Sequence, residues 1–164
     1  MSRLTHERLV SLLDYDRETG IFRWRVNVSN ICAGSVAGSP KGKGYIGIRI
    51  DRVSYYAHRL AVFYVTGTMP ECDVDHKNLV RTDNRFDNLR SATSSQNKMN
   101  RRAQSNNILG VKGVSFDARV GRFQARIKAN GKQRTIGVYN TIEEASAAYE
   151  RAANDNFGVF ARAA

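Results

Sequence analysis

The chain has 164 residues, 41% hydrophobic and 9% aromatic, which suits one modest folded domain or two very small ones. Lysine and arginine number 26 against 15 aspartates and glutamates, a formal charge of +11 that points to a polyanionic partner, nucleic acid before acidic membrane. No apolar run approaches the roughly 20 residues needed to span a bilayer, and two cysteines, Cys32 and Cys72, exclude a four-cysteine zinc site.

Thr5-His6-Glu7-Arg8 opens a helix with a short apolar run through Leu9, Leu12 and Leu13, and Asp16-Arg17-Glu18-Thr19-Gly20 is a turn. Residues 21–26 alternate apolar and basic over most of their length and predict a strand. Residues 33–44, rich in glycine and serine, predict a loop, Tyr45 to Ile50 a strand, and Tyr56 to Val65 an apolar helix stopped by Gly67 and Pro70. Val74 begins a short strand or turn, Arg81-Thr82-Asp83-Asn84 is a polar loop, and Asn88-Leu89-Arg90 is a second short strand. Thr93 followed by Gln96 forms a capping box, which puts Asn97 in the first turns of a helix. The spacing of the cysteines permits a disulfide. Without a signal-like apolar stretch, two buried thiols in a reducing compartment are expected.

Met99 to Leu109 is polar, without apolar period, and is expected to be a linker that partly extends the preceding helix. Lys112 to Phe116 predicts a short strand. Arg122 to Lys128 alternates cleanly, with Phe123, Ala125 and Ile127 on one face and Gln124, Arg126 and Lys128 on the other. Ala129-Asn130-Gly131 predicts a hairpin turn, and Lys132 to Tyr139 a returning strand. Thr141-Ile142-Glu143-Glu144 is another capping box, before a helix expected to bury Ile142, Ala145, Tyr149 and Ala152. These elements make a three-stranded antiparallel sheet packed on one helix. Lys98 to Arg134 holds ten basic residues and one acidic, a net +9, so the charge is a localised stripe.

The chemistry concentrates in the two dozen residues from Val74 to Asn97. Phosphodiester hydrolysis needs a nucleophile, charge neutralisation at the phosphoryl oxygens and help for the leaving oxygen. One Mg²⁺ ion supplies the last two and needs few protein oxygens, because it keeps several waters. Asp75 and Asn97 are the expected ligands. On a strand, His76 points away from Asp75, clear of the ion, and takes a proton from water near neutral pH. Asn88 braces the loop by bonding backbone groups on both sides. His58, at a helix start beside Arg59, reads as structural, and His6 as inert.

Asp75-His76, Asn88 and Asn97 resemble the HNH nuclease motif in its His-Asn-Asn form. The asparagines follow His76 at 12 and 21 residues, a spacing similar to that of phage-type HNH homing endonucleases. Tyr56-Ala57-His58-Arg59-Leu60-Ala61, Gly67, Pro70 and the stretch Asp83 to Arg90 carry the likeness further, over roughly residues 44–101. The resemblance implies a ββα-metal fold, His76 as general base, Asp75 and Asn97 as ligands of one divalent ion, and Asn88 as the bracing residue. Many HNH enzymes carry a histidine where Asn97 stands. Asparagine suits Mg²⁺, with Mn²⁺ as the alternative, and disfavours zinc or nickel.

Residues 110–160 resemble the ethylene-response-factor type of DNA-binding domain through Gly110-Val111-Lys112-Gly113-Val114, Gly121-Arg122-Phe123, Ala125, Ile127, Gly137 and the stretch Thr141 to Tyr149. In that family the sheet lies in the major groove. The likeness implies that Arg119, Arg122, Gln124, Arg126 and Lys128 face the DNA, with Lys112, Lys132 and Arg134 nearby. Val120 and Thr135 stand where the family has tryptophans, so its sequence preference does not transfer.

The sequence therefore leads to an α+β chain in four parts: an N-terminal helix and strand region (1–43), an HNH nuclease domain (44–101), a linker (102–109) and a DNA-binding domain (110–164). The expected activity is metal-dependent cleavage of double-stranded DNA, by a monomer or a DNA-assembled dimer, in the cytoplasm of a bacterial or phage-infected host cell. The alternative is a DNA-binding regulator with an inactive nuclease domain.

Overall fold

The computed structural model describes residues 4–100, 107–129 and 131–161. The chain divides into two compact units, Met1–Ser94 and Ser95–Ala164. Both mix small antiparallel sheets with helices, an α+β architecture. Asn130 of the expected hairpin turn and residues 102–106 of the expected linker lie outside the described residues.

In the first unit, α1 (His6–Leu12) starts where Thr5 accepts a hydrogen bond from the Arg8 amide. The strands β1 (Leu13–Tyr15) and β2 (Phe22–Trp24) pair antiparallel across a turn whose Asp16 carboxylate accepts from the amides of Glu18 and Thr19. The expected strand at residues 21–26 is thus shorter, and its partner β1 continues directly from the helix. Residues 33–44 are not all loop: β3 (Ser39–Lys41) pairs with β4 (Tyr45–Ile50), which also pairs with β5 (Val53–Tyr56). Proline at position 40 is tolerated because β3 is an edge strand.

Helix α2 (Ala57–Thr66) buries Ala57, His58, Leu60, Ala61 and Phe63, and Gly67 closes it at a φ of 72°. The core joins α1, both hairpin strands, β4 and α2 through Leu9, Leu13, Phe22, Ile48 and Leu60. Two further strands, β6 (Asp73–His76) and β7 (Leu89–Ala92), pair antiparallel, joined by a loop ending in the 3-10 turn Phe86–Asn88. Asn88 therefore closes the loop instead of opening the strand. Helix α3 (Ser94–Met99) follows.

The second unit holds β8 (Val114–Asp117), β9 (Arg122–Ala129) and β10 (Lys132–Tyr139), with β9 central, and α4 (Ile142–Phe157) packed on them. Both halves of the expected capping box at Thr141 and Glu144 are present. Ala145, Ala148, Tyr149 and Ala153 are the buried residues of α4, with Ile142 and Ala152 at the margin of this core. The register of β9 and β10 shifts between Thr135 and Gly137, a bulge that strict alternation does not reveal.

Cys32 and Cys72 are free and exposed, contrary to the expectation of buried thiols. Each sits in a connection between strands or before one, where backbone polar groups keep the chain at the surface. His6 is held in the packing of the first unit: its Nε2 lies 2.9 Å from the Tyr64 carbonyl, and its ring meets the edges of Phe63 and Tyr64. No described helix is long and apolar enough to cross a membrane.

Candidate functional site

Strand β6 presents Asp75 and His76 on successive residues, so their side chains leave opposite faces. Both are only 4% exposed. A buried carboxylate needs a charge partner. The register supplies one, since Asp75 faces Arg90, whose Nε and Nη2 lie 2.9 and 2.8 Å from Asp75 Oδ2. The pair fixes the carboxylate in one orientation.

His76 faces the loop between the two strands, its Nε2 3.2 Å from Asn84 Oδ1. Burial pushes its pKa below the ordinary histidine value. The Asn84 contact and the charges of Asp75 and Asp83 oppose that push, and Arg81 adds to it. The ring is neutral at pH 7 and able to accept a proton.

Asn88 holds both ends of the loop. Its Oδ1 accepts from the Asn78 amide at 3.1 Å, and its Nδ2 donates to the Asp83 carbonyl at 2.8 Å and to Asn78 Oδ1 at 3.0 Å. Asp83 in turn accepts from Asn78 and from Arg85, and that guanidinium above all lowers its pKa to about 2. A carboxylate so held keeps its charge throughout the working pH range and stiffens the loop.

Two residues of this site have no role in the sequence reading. Asn84 lies in a recognised motif, yet nothing in the motif says that its amide meets His76. His58 reads as structural, and α2 brings it to His76, with ring centroids 5.1 Å apart. His58 is 7% exposed and packs against Tyr45 and Tyr56. Its Nδ1 is the buried side-chain atom without a hydrogen-bond partner among the described residues. Burial first, then the neighbouring His76 and Arg59, lower its pKa to about 3. Arg81 lies over the ring of Tyr45 and Lys41 over that of Tyr56, so cations flank the aromatic wall beside His76.

Asn97 lies on α3 and is half-buried. The helix begins where Ser94 Oγ donates to Asp73 Oδ2 at 3.2 Å. Among the described residues no three His, Cys, Asp or Glu side chains gather into a metal cluster.

In the second unit, β9 turns Arg122, Gln124, Arg126 and Lys128 to the face opposite the buried Ala125 and Ile127. Gln133 and Thr135 pair with Lys128 and Arg126 and share that face. Arg134 pairs with Ile127, so it stands on the helix side, with Nη2 3.5 Å from Asn156 Oδ1. Lys132 pairs with Ala129 on that same side. Lys112 donates to the Met99 carbonyl, and Arg119, in the β8–β9 turn, forms an exposed ion pair with Asp117 at 3.2 Å. A cavity of about 380 Å³ opens among Lys112, Ser115, Arg126, Lys128 and Gln133.

Residues 55–99, just over a quarter of the chain, match a family model described as HNH endonuclease. The matched span contains Asp75, His76, Asn84, Asn88 and Asn97, and it supports a nuclease. Comparison with curated proteins and with solved structures gave no match.

Proposed function

We propose that the chain is a metal-dependent DNA endonuclease with His76 as general base. The observation that carries this reading is a buried, neutral imidazole beside a buried carboxylate on one strand, inside the span that matches HNH endonucleases. Asp75 and Asn97 would hold one Mg²⁺, or Mn²⁺ in its place, which when bound supplies charge neutralisation at the phosphoryl and leaving oxygens. His76 takes the proton as a water oxygen attacks phosphorus. The new P–O bond replaces an ester P–O bond, leaving one phosphomonoester end and one hydroxyl end. Asn88 braces the loop against which His76 rests. The chain order of two paired strands and a helix, β6, β7 and α3, suits a ββα-metal domain, which we place at 44–101, with residues 1–43 before it and the linker at 102–109 after it.

The same reading makes residues 110–164 an ethylene-response-factor-like DNA-binding domain. Its open face, with Arg122, Gln124, Arg126 and Lys128, docks the duplex, with Lys112 and Arg119 as further cations, whereas Lys132 and Arg134, expected beside that face, stand on the helix side and add only to the local positive charge. The protein is of the phage homing type and acts as a monomer or a dimer assembled on DNA. Incubation of supercoiled plasmid with Mg²⁺ tests this. Wild-type protein nicks it, a chelator stops the reaction, and His76→Ala and Asp75→Ala each slow it at least about 100-fold. Binding that shifts the DNA without ever cutting it would instead favour a regulator with an inactive nuclease domain.

A further inference from the structure

Deeper inside the first unit, the Asn84 amide does more than fill space. It is 3% exposed, and all its polar atoms are engaged. Nδ2 donates to the Thr82 carbonyl at 3.3 Å, and a carbonyl can only accept, so Oδ1 is the atom turned to His76. An oxygen facing Nε2 at 3.2 Å requires that this nitrogen carry the proton. The lone pair of the neutral ring is then on Nδ1.

Asn84 is itself gripped from the other end of the chain. The buried Tyr15 hydroxyl donates to the Asn84 carbonyl at 2.6 Å. The Phe86 amide donates to the Arg17 carbonyl at 3.3 Å. Gly20, at a φ of +75°, lies so close that a Cβ there would come within 2.4 Å of the Arg85 nitrogen and 2.5 Å of the Asn84 carbonyl carbon. Three contacts from the β1–β2 hairpin thus hold the Asn84–Phe86 backbone, and with it the amide that meets His76.

We infer that Asn84 is a positioning residue that holds His76 in its Nε2-protonated tautomer, and that the N-terminal hairpin, through Tyr15 and Gly20, holds Asn84 in place. The inference rests on the reading of His76 as general base. It gives the N-terminal region a task within the same site: the nitrogen that takes the proton is chosen by a loop clamped from a hairpin whose Tyr15 lies 69 residues upstream in sequence.

The test reads nitrogen NMR shifts of the isotope-labelled His76 imidazole at a pH where the ring is neutral, together with cleavage kinetics. In the full-length wild type a single Nε2–H tautomer is expected. Asn84→Leu keeps the branched shape and removes the acceptor. It should give mixed tautomers and a kcat lower by about 10- to 100-fold with little change in KM. Asn84→Asp retains an oxygen at that place and should restore the single tautomer. An unchanged tautomer and kcat in Asn84→Leu would overturn the inference. Should Asn84→Leu fail to fold, Tyr15→Phe decides, because it leaves the amide intact and releases only its carbonyl anchor. A mixed signature supports the clamp, and an unaltered one overturns it. Wild-type protein with one tautomer but no metal-dependent cleavage sinks the nuclease reading alone, whereas mixed tautomers in a wild type that cuts sink this inference alone.

Discussion

At the scale of single residues, the site is a set of polar groups driven into low-dielectric surroundings, each with its own answer to the cost of burial. Asp75 answers with Arg90, His76 with Asn84, and His58 by staying neutral. The last has a measurable consequence. His58 has a folded pKa of about 3 against an ordinary 6.5, so the unfolded chain binds the proton more readily. Stability from this group is therefore fully present above pH 6.5 and is lost progressively as pH falls toward 3, by about 1 kcal/mol per pH unit inside that window. Denaturant unfolding between pH 7 and 4.5 should show wild type weakening more steeply than His58→Phe, and parallel curves would contradict the burial argument. The pattern that singles out Asp75, His76, Asn88 and Asn97 as candidates is legible in the sequence, because it consists of residue types and their spacing. The partnerships of His58 and Asn84 are not, because each arises from tertiary packing that residue identities alone do not encode.

Local patterning set most of the elements. The alternation in β9 and the capping box of α4 reappear with almost the expected bounds, since each depends only on neighbours a few residues away. The short strands β1, β3 and β5 escape such reading. Three or four residues carry too little periodicity, and they are strands only because a partner lies beside them. The bulge in β10 escapes for a similar reason: it is a property of pairing. The β1–β2 hairpin shows how much such an element can decide. Gly20→Ala would force a side chain into a left-handed conformation and against the Asn84–Arg85 backbone. A loss of about 2 kcal/mol or more is expected. Thermal unfolding checks it, and a melting temperature within a degree of wild type would show that the hairpin turn can move away without penalty.

On the scale of the whole molecule, charge and chemistry fall in different stretches. The site residues up to Asn88 lie in the first unit, whereas the basic stripe from Lys98 to Arg134 belongs to the second. The proposed DNA face predicts a salt dependence. Arg126 stands on the open side of the central strand, opposite Thr135. If it contacts a phosphate, Arg126→Ala lowers the slope of log K against log salt by about one, without altering preference among sequences. Fluorescence titrations at several salt concentrations measure this, and an unchanged slope would remove Arg126 from the interface.

The nuclease reading stands or falls with proton transfer at His76. Single-turnover cleavage of a duplex under saturating Mg²⁺ compares wild type with His76→Ala directly. The expected result is a rate at least about 100-fold lower in the variant with DNA affinity preserved. Equal rates, or no cleavage by either protein on any duplex, would contradict it.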